Sequence, residues 1–176
     1  MVLASAALPN VFQAVEVEGD GYWDGGFVGN PSLWPLYYDT ESLDVLICHV
    51  NVLVRDDMPH DAISIEDRLN EITFNSALLK ELRAISFVQK LVKNKMLKES
   101  VKDKYREVLL HAIRADDTMS KLSISSKFDT SWPFLLRLRD LGRKEAKAWL
   151  TAHFDHLGLS STIDIDRDYL DVKRHV

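Results

Sequence analysis

The sequence predicts a mixed α/β protein, with short strands and turns at the front and long helices behind. Five of the seven glycines and three of the five prolines fall within residues 9–35, a composition typical of tight turns between short elements. From Ser64 onward, apolar residues recur every three or four positions, as they do on the buried face of a helix. We therefore expect an α/β segment over residues 1–60 and a mostly α-helical extension over residues 61–176.

The composition is that of a globular protein and excludes several classes. Of the 176 residues, 46% are hydrophobic and 28% are charged, which argues against disorder and fibrous repeats. Cys48 is the single cysteine, so an intrachain disulfide and a thiolate metal cluster are excluded. No apolar run approaches the roughly 20 residues that span a bilayer, and the start lacks the basic flank of a secretory signal. We expect a cytoplasmic protein.

The front elements follow from local patterns. Apolar and acidic residues alternate over residues 15–18, turn residues occupy 19–21, and an extended pattern resumes at residues 22–23, which together predict a hairpin. A short helix is predicted over residues 32–38. The apolar run over residues 43–50 is rich in Val, Leu and Ile, and it predicts a parallel strand buried on both faces.

The rear elements follow from helical periodicity. The pattern predicts one long amphipathic helix over about residues 66–97 and a second helix over about residues 100–115. A third helical pattern covers residues 134–157, and Gly142 either breaks it into two helices or is tolerated within one. Residues 160–171 are polar and predict a short strand followed by a loose tail.

One ordered set of front motifs resembles a known family. Residues 4–9 (Ala-Ser-Ala-Ala-Leu-Pro), the hairpin, residues 24–26 (Asp-Gly-Gly) and Asn30-Pro31 resemble, in order and spacing, the catalytic-aspartate half of the patatin-like phospholipases. Residues 72–91 and 132–162 are similar to the helical extension of a bacterial subgroup of that family. The resemblance implies the C-terminal elements of a patatin-like three-layer α/β domain, incomplete in this chain, followed by the helical extension.

The resemblance also implies a chemistry. In this family a serine within Gly-x-Ser-x-Gly attacks the ester carbonyl, an aspartate is its base, and a glycine-rich loop binds the oxyanion. Asp24 matches that base, the implied substrates are lipid acyl esters, and no cofactor is implied. The alternative for Asp24 is an Asx turn, in which the carboxylate only caps its own backbone.

The nucleophile half of that chemistry is absent from the sequence. None of the 14 serines lies in a Gly-x-Ser-x-Gly pattern, and no glycine-rich run could form the oxyanion loop. We therefore expect a C-terminal portion of a longer enzyme, inactive on esters by itself, which self-associates or binds the missing N-terminal half. The alternative is a non-enzymatic interaction module whose helical part binds a partner chain.

Other polar clusters are weaker candidates for sites. His153 and His156 lie one helical turn apart, but no third metal ligand is evident, so a surface or helix-end role is favoured. Three aspartates alternate over residues 164–168 without the glycine of a calcium loop, which favours a solvated acidic turn. His49 follows Cys48 in the apolar run, and a core histidine with a hydrogen-bond partner is favoured over a catalytic pair.

Charge is distributed unevenly along the chain. Residues 1–60 carry nine acids and one base, whereas residues 80–106 carry nine bases and three acids. The net charge of −5 argues against nucleic acid as a partner. Basic and apolar residues interleave over residues 90–106, which fits either contact with an anionic membrane surface or the solvated face of packed helices. The first alternative predicts peripheral membrane attachment.

Overall fold

The computed structural model describes residues 1–9, 11–55, 58–101 and 104–171. It confirms a mixed α/β protein, about half helical, with small sheets and a long helical part. The helices are α1 Val2–Ser5, α2 Trp34–Tyr38, α3 Ala62–Lys93, α4 Asp116–Met119, α5 Trp132–His153 and α6 Ile165–Tyr169. The strands are β1 Val15–Val17, β2 Asp20–Tyr22, β3 Asp44–Cys48 and β4 Leu109–Ile113.

The predicted hairpin is confirmed, but its turn lies earlier than residues 19–21. Strands β1 and β2 pair antiparallel, with Val15 opposite Tyr22 and Val17 opposite Asp20. Glu18 and Gly19 connect them with φ angles of 55° and 91°. Two consecutive positive φ angles match the right-handed twist of the flanking strands. Asp20 and Gly21 therefore belong to β2 rather than to the turn.

The prediction of a helix over residues 100–115 is wrong where β4 forms. Residues 109–113 pair in parallel with β3, from Asp44 opposite Leu109 to Cys48 opposite Ile113. A short, mostly apolar segment such as Leu-Leu-His-Ala-Ile fits a strand or a helix, and the available edge of β3 decides between them. The parallel arrangement expected for the strand at residues 43–50 is confirmed. Residues 102 and 103 lie outside the described part of the chain.

Strand β3 is buried on one face, not on both as predicted. Val45 and Ile47 are 4% and 3% exposed, whereas Leu46 is 44% exposed. The buried face packs on Leu78 and Leu82 of α3, and on α6. Strand side chains alternate between the two faces, so a helical layer on one side covers only every second residue.

Helix α3 is displaced by four residues from the predicted range of 66–97. It starts after Asp61, whose side chain accepts hydrogen bonds from the backbone N–H groups of Ile63 and Ser64. The chain leaves the helix at Lys95, where φ is 53°. The helix thus begins with a capping box and ends with a left-handed cap. Both caps supply hydrogen-bond partners for backbone groups at the helix ends.

Gly142 does not break the third predicted helix. Helix α5 is continuous from Trp132 to His153, and a short 3₁₀ turn over Phe154–His156 follows it. The chain then reverses at Gly158, where φ is 74°, a conformation that glycine adopts without steric cost.

The prediction of a strand and a loose tail over residues 160–171 is wrong. Residues 165–169 form α6, with Ile165 and Tyr169 only 6% and 1% exposed. The side chain of Asp164 accepts a hydrogen bond from the backbone of Arg167 and thereby caps this helix. Two apolar side chains one turn apart suffice to dock the segment on the core, although the sequence around them is polar.

A single hydrophobic core continues across residue 60. It combines buried side chains from the front segment, from α3, from the β4 region and from α6, namely Leu33, Val45, Ile47, Leu53, Leu78, Leu82, Ile85, Val108, Leu110, Ile165 and Tyr169. The buried Asn75 side chain of α3 also donates a hydrogen bond of 2.8 Å to the carbonyl oxygen of Val52. Across the described residues, no helix is both long enough and apolar enough to cross a membrane.

Candidate functional site

Asp24 lies in a tight turn that is hydrogen-bonded to the segment following α1. Its backbone N–H donates to the carbonyl oxygen of Ala7 at 2.9 Å. Its carboxylate Oδ1 accepts the backbone N–H of Gly26 at 2.8 Å and so caps the 3₁₀ turn Gly25–Phe27. This is the Asx turn of the alternative interpretation. An ionised carboxylate has about four acceptor sites, so one such bond leaves it able to accept a proton.

The turn is also fixed against α3. A Cβ atom on Gly26 would lie 3.0 Å from Asp24 Oδ1 and 3.5 Å from the Phe74 ring, so a larger residue would disturb the cap. The Phe27 ring packs edge-on against Phe74, with the ring centroids 5.3 Å apart. The half-buried Asp24 carboxylate therefore projects from a positioned turn rather than from a loose loop.

Exposed aromatic and apolar side chains surround this turn. We call them the front patch: Phe12, Trp23, Phe27 and Val28, which are 58%, 50%, 50% and 89% exposed. The Trp23 indole N–H donates to the carbonyl oxygen of Phe12 at 3.1 Å, which joins the two stretches of chain. Clustered exposed apolar groups of this kind are typical of interaction surfaces.

The structure brings no serine nucleophile to Asp24. Within the described residues, the hydrogen bonds of Asp24 are to the backbone of Ala7, Gly26 and Phe27. None of these partners of Asp24 is a serine hydroxyl.

His49 packs against α6 just after strand β3. Its Nε2 lies 2.8 Å from the Tyr169 hydroxyl, and the rings are 5.5 Å apart. Burial, with a smaller contribution from the charge of Arg114, lowers the pKa of His49 to about 4. The neighbouring Cys48 is exposed. His49 thus has the hydrogen-bond partner expected of a core histidine, supplied by a helix that the sequence did not predict.

A buried histidine that sequence reasoning missed joins the two parallel strands. His111 is fully buried, with Nε2 2.9 Å from Asp44 Oδ1 and Nδ1 3.0 Å from Thr162 Oγ1. The Gly158 N–H donates to both oxygens of Asp44 at 2.9 and 3.1 Å. This hydrogen bond, and then the one from His111, lowers the pKa of Asp44. No sequence signal marked the position, because residue 111 fell within a predicted helix.

The order carboxylate, imidazole and hydroxyl is that of a catalytic triad, but its surroundings are those of a structural clamp. The His111 ring is enclosed and meets Trp149 edge-on, with centroids 5.6 Å apart. Catalysis by such a group requires a substrate carbonyl within reach of the hydroxyl. Both ring nitrogens of His111 lie within hydrogen-bond distance of Asp44 and Thr162, and the side chain has no exposed surface. We therefore assign His111 to the linkage of β3, β4 and residues 158–162.

The remaining predicted clusters are held by internal contacts. His153 and His156 have ring centroids 5.8 Å apart, and His156 Nδ1 lies 2.9 Å from Ser160 Oγ. Across the described chain, no group of three His, Cys, Asp or Glu side chains is placed to hold a metal ion. The aspartates of residues 164–168 are paired rather than merely solvated, since Asp166 lies 2.7 Å from Lys90.

The basic stretch at residues 90–106 does not lie on one helix. Helix α3 ends at Lys93, whose Nζ is 3.2 Å from Glu107 Oε1. Beyond the helix, the Arg106 guanidinium donates to the carbonyl oxygen of Thr40 at 2.9 Å. The positive charge is therefore distributed over a helix end and a following loop, and part of it is neutralised by acids of the same chain.

A cleft of about 630 Å³ lies beyond the carboxyl end of β3. Arg55 on its wall makes a two-pronged contact with Glu71, with its Nη2 2.7 Å from Glu71 Oε1, and also donates to the carbonyl oxygen of Ser120. Arg68 adds a contact of 3.2 Å to Glu71. These polar groups are engaged in holding α3 to the segments before and after it.

Comparisons with protein-family models, with curated proteins and with solved structures found no match to this chain.

Proposed function

We propose that residues 1–60 are part of a patatin-like serine acyl hydrolase and supply its general base, Asp24, to a serine outside these 176 residues. The observation that carries this proposal is the positioned turn of Asp24, which is bonded to Ala7 and packed on α3 through Phe27. A fixed carboxylate can accept the serine proton as the hydroxyl attacks an ester carbonyl, and can return it to the leaving alcohol. The substrates are lipid acyl esters.

The front patch supports docking of the segment that carries the nucleophile. Phe12 and Trp23 are at least half exposed, and Trp23 directly precedes Asp24 in the chain. A second polypeptide segment covering them would exclude water from the carboxylate and place its own hydroxyl nearby. In this arrangement Asp24 acts only in the assembled site.

The test joins this chain to the coding sequence upstream of the Met1 codon. The 176-residue chain alone is expected not to hydrolyse a short-chain nitrophenyl ester, whereas the longer protein is expected to turn over and to react with a fluorophosphonate. Asp24→Asn in the longer protein should lower turnover roughly 100-fold, on the scale of a lost general base. Asp20→Asn, on the exposed strand β2, is the matched control.

Three results would contradict the proposal: an upstream sequence without a Gly-x-Ser-x-Gly segment, fluorophosphonate labelling of a serine within these 176 residues, or full activity of Asp24→Asn. The melting temperature of each variant separates loss of the base from loss of the fold.

A second candidate is a non-enzymatic interaction module, favoured by an exposed apolar stripe on α3. Ile65, Leu69 and Ile72 share one helical face and are 51%, 62% and 53% exposed. Under this proposal the Asp24 carboxylate only caps Gly26, and the stripe makes the contact with another chain. Leu69→Glu should then reduce self-association in sedimentation velocity, whereas Asp24→Asn should not. A monomer at all concentrations would exclude the stripe as a self-association surface.

A further inference from the structure

A second cleft, between α2, α3 and the segment leading into β4, has an aliphatic floor. The space between its lining residues, which is open to solvent on one side, is about 670 Å³. Ala84, Ile85 and Val88 of α3 and Val108 form the floor, and Ile85 and Val108 belong to the hydrophobic core. The α3 part spans about one helical turn, roughly 5 Å along the axis. It therefore suits an apolar body of one ring or a short chain.

Three tyrosines line the same cleft. Tyr37 and Tyr38 have ring centroids 5.0 Å apart, and Tyr105 is 45% exposed on the opposite segment. Burial and the nearby Glu81 raise the pKa of Tyr37 to about 12, so its hydroxyl keeps its proton and can donate a hydrogen bond. The Glu81 carboxylate accepts two backbone N–H groups at the start of α2, at 2.7 and 3.0 Å.

The charged lining of the cleft is cationic. Lys104 and Arg106 line it, and none of its described lining residues is acidic. Arg106 Nη1 donates to the carbonyl oxygen of Thr40 at 2.9 Å, which holds the guanidinium in place. A guanidinium has five N–H donors, so this bond leaves others for an anion, and the planar group matches the geometry of a carboxylate.

We infer that this cleft binds a small amphipathic carboxylate, with its apolar body on the aliphatic floor between the tyrosines and its carboxylate against Lys104 and Arg106. The body is either a single aromatic ring or a chain of roughly four carbons, according to the length of the floor. The inference does not depend on the proposed role of Asp24, which does not line the cleft.

The first experiment titrates the 176-residue chain with pentanoate and with benzoate by isothermal calorimetry. The uncharged 1-pentanol and phenol are the matched controls. At least one acid is expected to bind with one-to-one stoichiometry, and at least tenfold more tightly than its uncharged counterpart, because charge-assisted hydrogen bonds are lost with the carboxylate. Binding of pentanoate identifies a chain ligand, and binding of benzoate identifies a ring. Binding of neither acid, or equal binding of the neutral compounds, overturns the inference.

The second experiment locates the binding site. Lys104→Gln and Arg106→Gln should each weaken binding of the acid about tenfold, whereas Lys98→Gln, which neutralises a lysine of the same basic stretch outside the cleft, should not. Ala84→Trp should block binding by filling the cleft, and Ala148→Trp on α5 is its control. Unchanged binding in a folded Ala84→Trp protein, or in both charge variants, would overturn the assignment. If Ala84→Trp does not fold, the two charge variants decide.

Discussion

At the scale of single residues, two histidines near the parallel strands differ in burial and in hydrogen bonding. One lies within β4 and the other directly follows β3. His111 has no exposed surface and uses both ring nitrogens, one towards Asp44 and one towards Thr162. His49 is partly buried, with one nitrogen at the Tyr169 hydroxyl. A buried polar group destabilises a fold unless it is hydrogen-bonded, so both residues are expected to influence stability measurably.

The pH dependence of the free energy of unfolding should reveal the lowered pKa of His49. Its pKa is lowered from 6.5 to about 4 in the folded protein, so the unfolded chain binds a proton that the folded chain does not bind between these values. The contribution to stability is complete above pH 6.5 and is lost as the pH falls towards 4, with an upper limit of about 3 kcal/mol. In urea titrations at pH 7 and pH 4.5, His49→Gln should lose less stability on acidification than the wild type does.

The matched control for that experiment is His60→Gln, which removes an exposed histidine. If His49→Gln and the wild type lose the same free energy of unfolding between the two pH values, His49 is not the group responsible.

At a fixed pH, replacing His111 should lower the free energy of unfolding more than replacing an exposed histidine does. His111→Ala leaves a cavity and deprives Asp44 and Thr162 of their shared partner, so we expect a loss of about 2–4 kcal/mol in the free energy of unfolding. His156→Ala, at an exposed position, should cost under about 1 kcal/mol. Chemical denaturation measures both. Similar small losses for the two variants would show that the clamp does not stabilise the strands.

At the scale of elements, helix α3 is defined by its ends as much as by its apolar face. Asp61 begins it with a capping box, and Lys95 ends it in the left-handed region at φ 53°. The backbone N–H of Lys95 donates to Val92 and that of Met96 to Leu91, so the last turn is closed by hydrogen bonds. The cap thus stops the helix before the predicted position, although apolar residues continue beyond it.

Replacing lysine by glycine should have opposite effects on stability at a residue with a positive φ and at a residue inside a helix. Lys95→Gly relieves the steric cost of a positive φ and should raise the free energy of unfolding by about 0.5–1 kcal/mol. Lys80→Gly, at an exposed position within α3, should lower it by about 1 kcal/mol. Thermal melts of the two variants test this. Destabilisation by Lys95→Gly would mean that its side chain contributes more than the backbone strain costs.

At the scale of the whole molecule, the front segment and the helical part share one core. Val45 and Ile47 of β3 pack in the same cluster as Leu78 and Leu82 of α3. The hairpin differs, since every residue of β2 is exposed. The sheet of β1 and β2 is therefore less covered by the rest of the protein than the sheet of β3 and β4, which predicts a lower local stability for the hairpin.

Hydrogen exchange at low protein concentration should show different protection in the two sheets. The amides of β3 and β4 that take part in their pairing should be protected to a similar degree as the buried middle of α3, because opening them requires disruption of the common core. The amides of β2 should exchange rapidly. Fast exchange throughout β3, with protection confined to the helices, would show that the front segment is not folded on the helical part.

The features that the sequence alone determines are those that depend on neighbouring residues. The hairpin follows from alternating residues around Gly19, the long helix from apolar spacing of three and four, and the turn of Asp24 from the two glycines after it. Even there, the exact ends moved by a few residues, because caps such as Asp61 compete with the periodic pattern.

The tertiary structure decides what depends on distant partners. Residues 109–113 become a strand because β3 offers an edge, and residues 165–169 become a buried helix because Tyr169 meets His49 and the core. Residue 111 is a clamp only because Asp44 and Thr162 come together around it. Short apolar segments fit several local conformations at similar free energy, so pairing and burial against distant residues make the choice. For the same reason the sequence predicts the turn of Asp24, whereas the proposed role of its carboxylate depends on a hydroxyl outside these 176 residues.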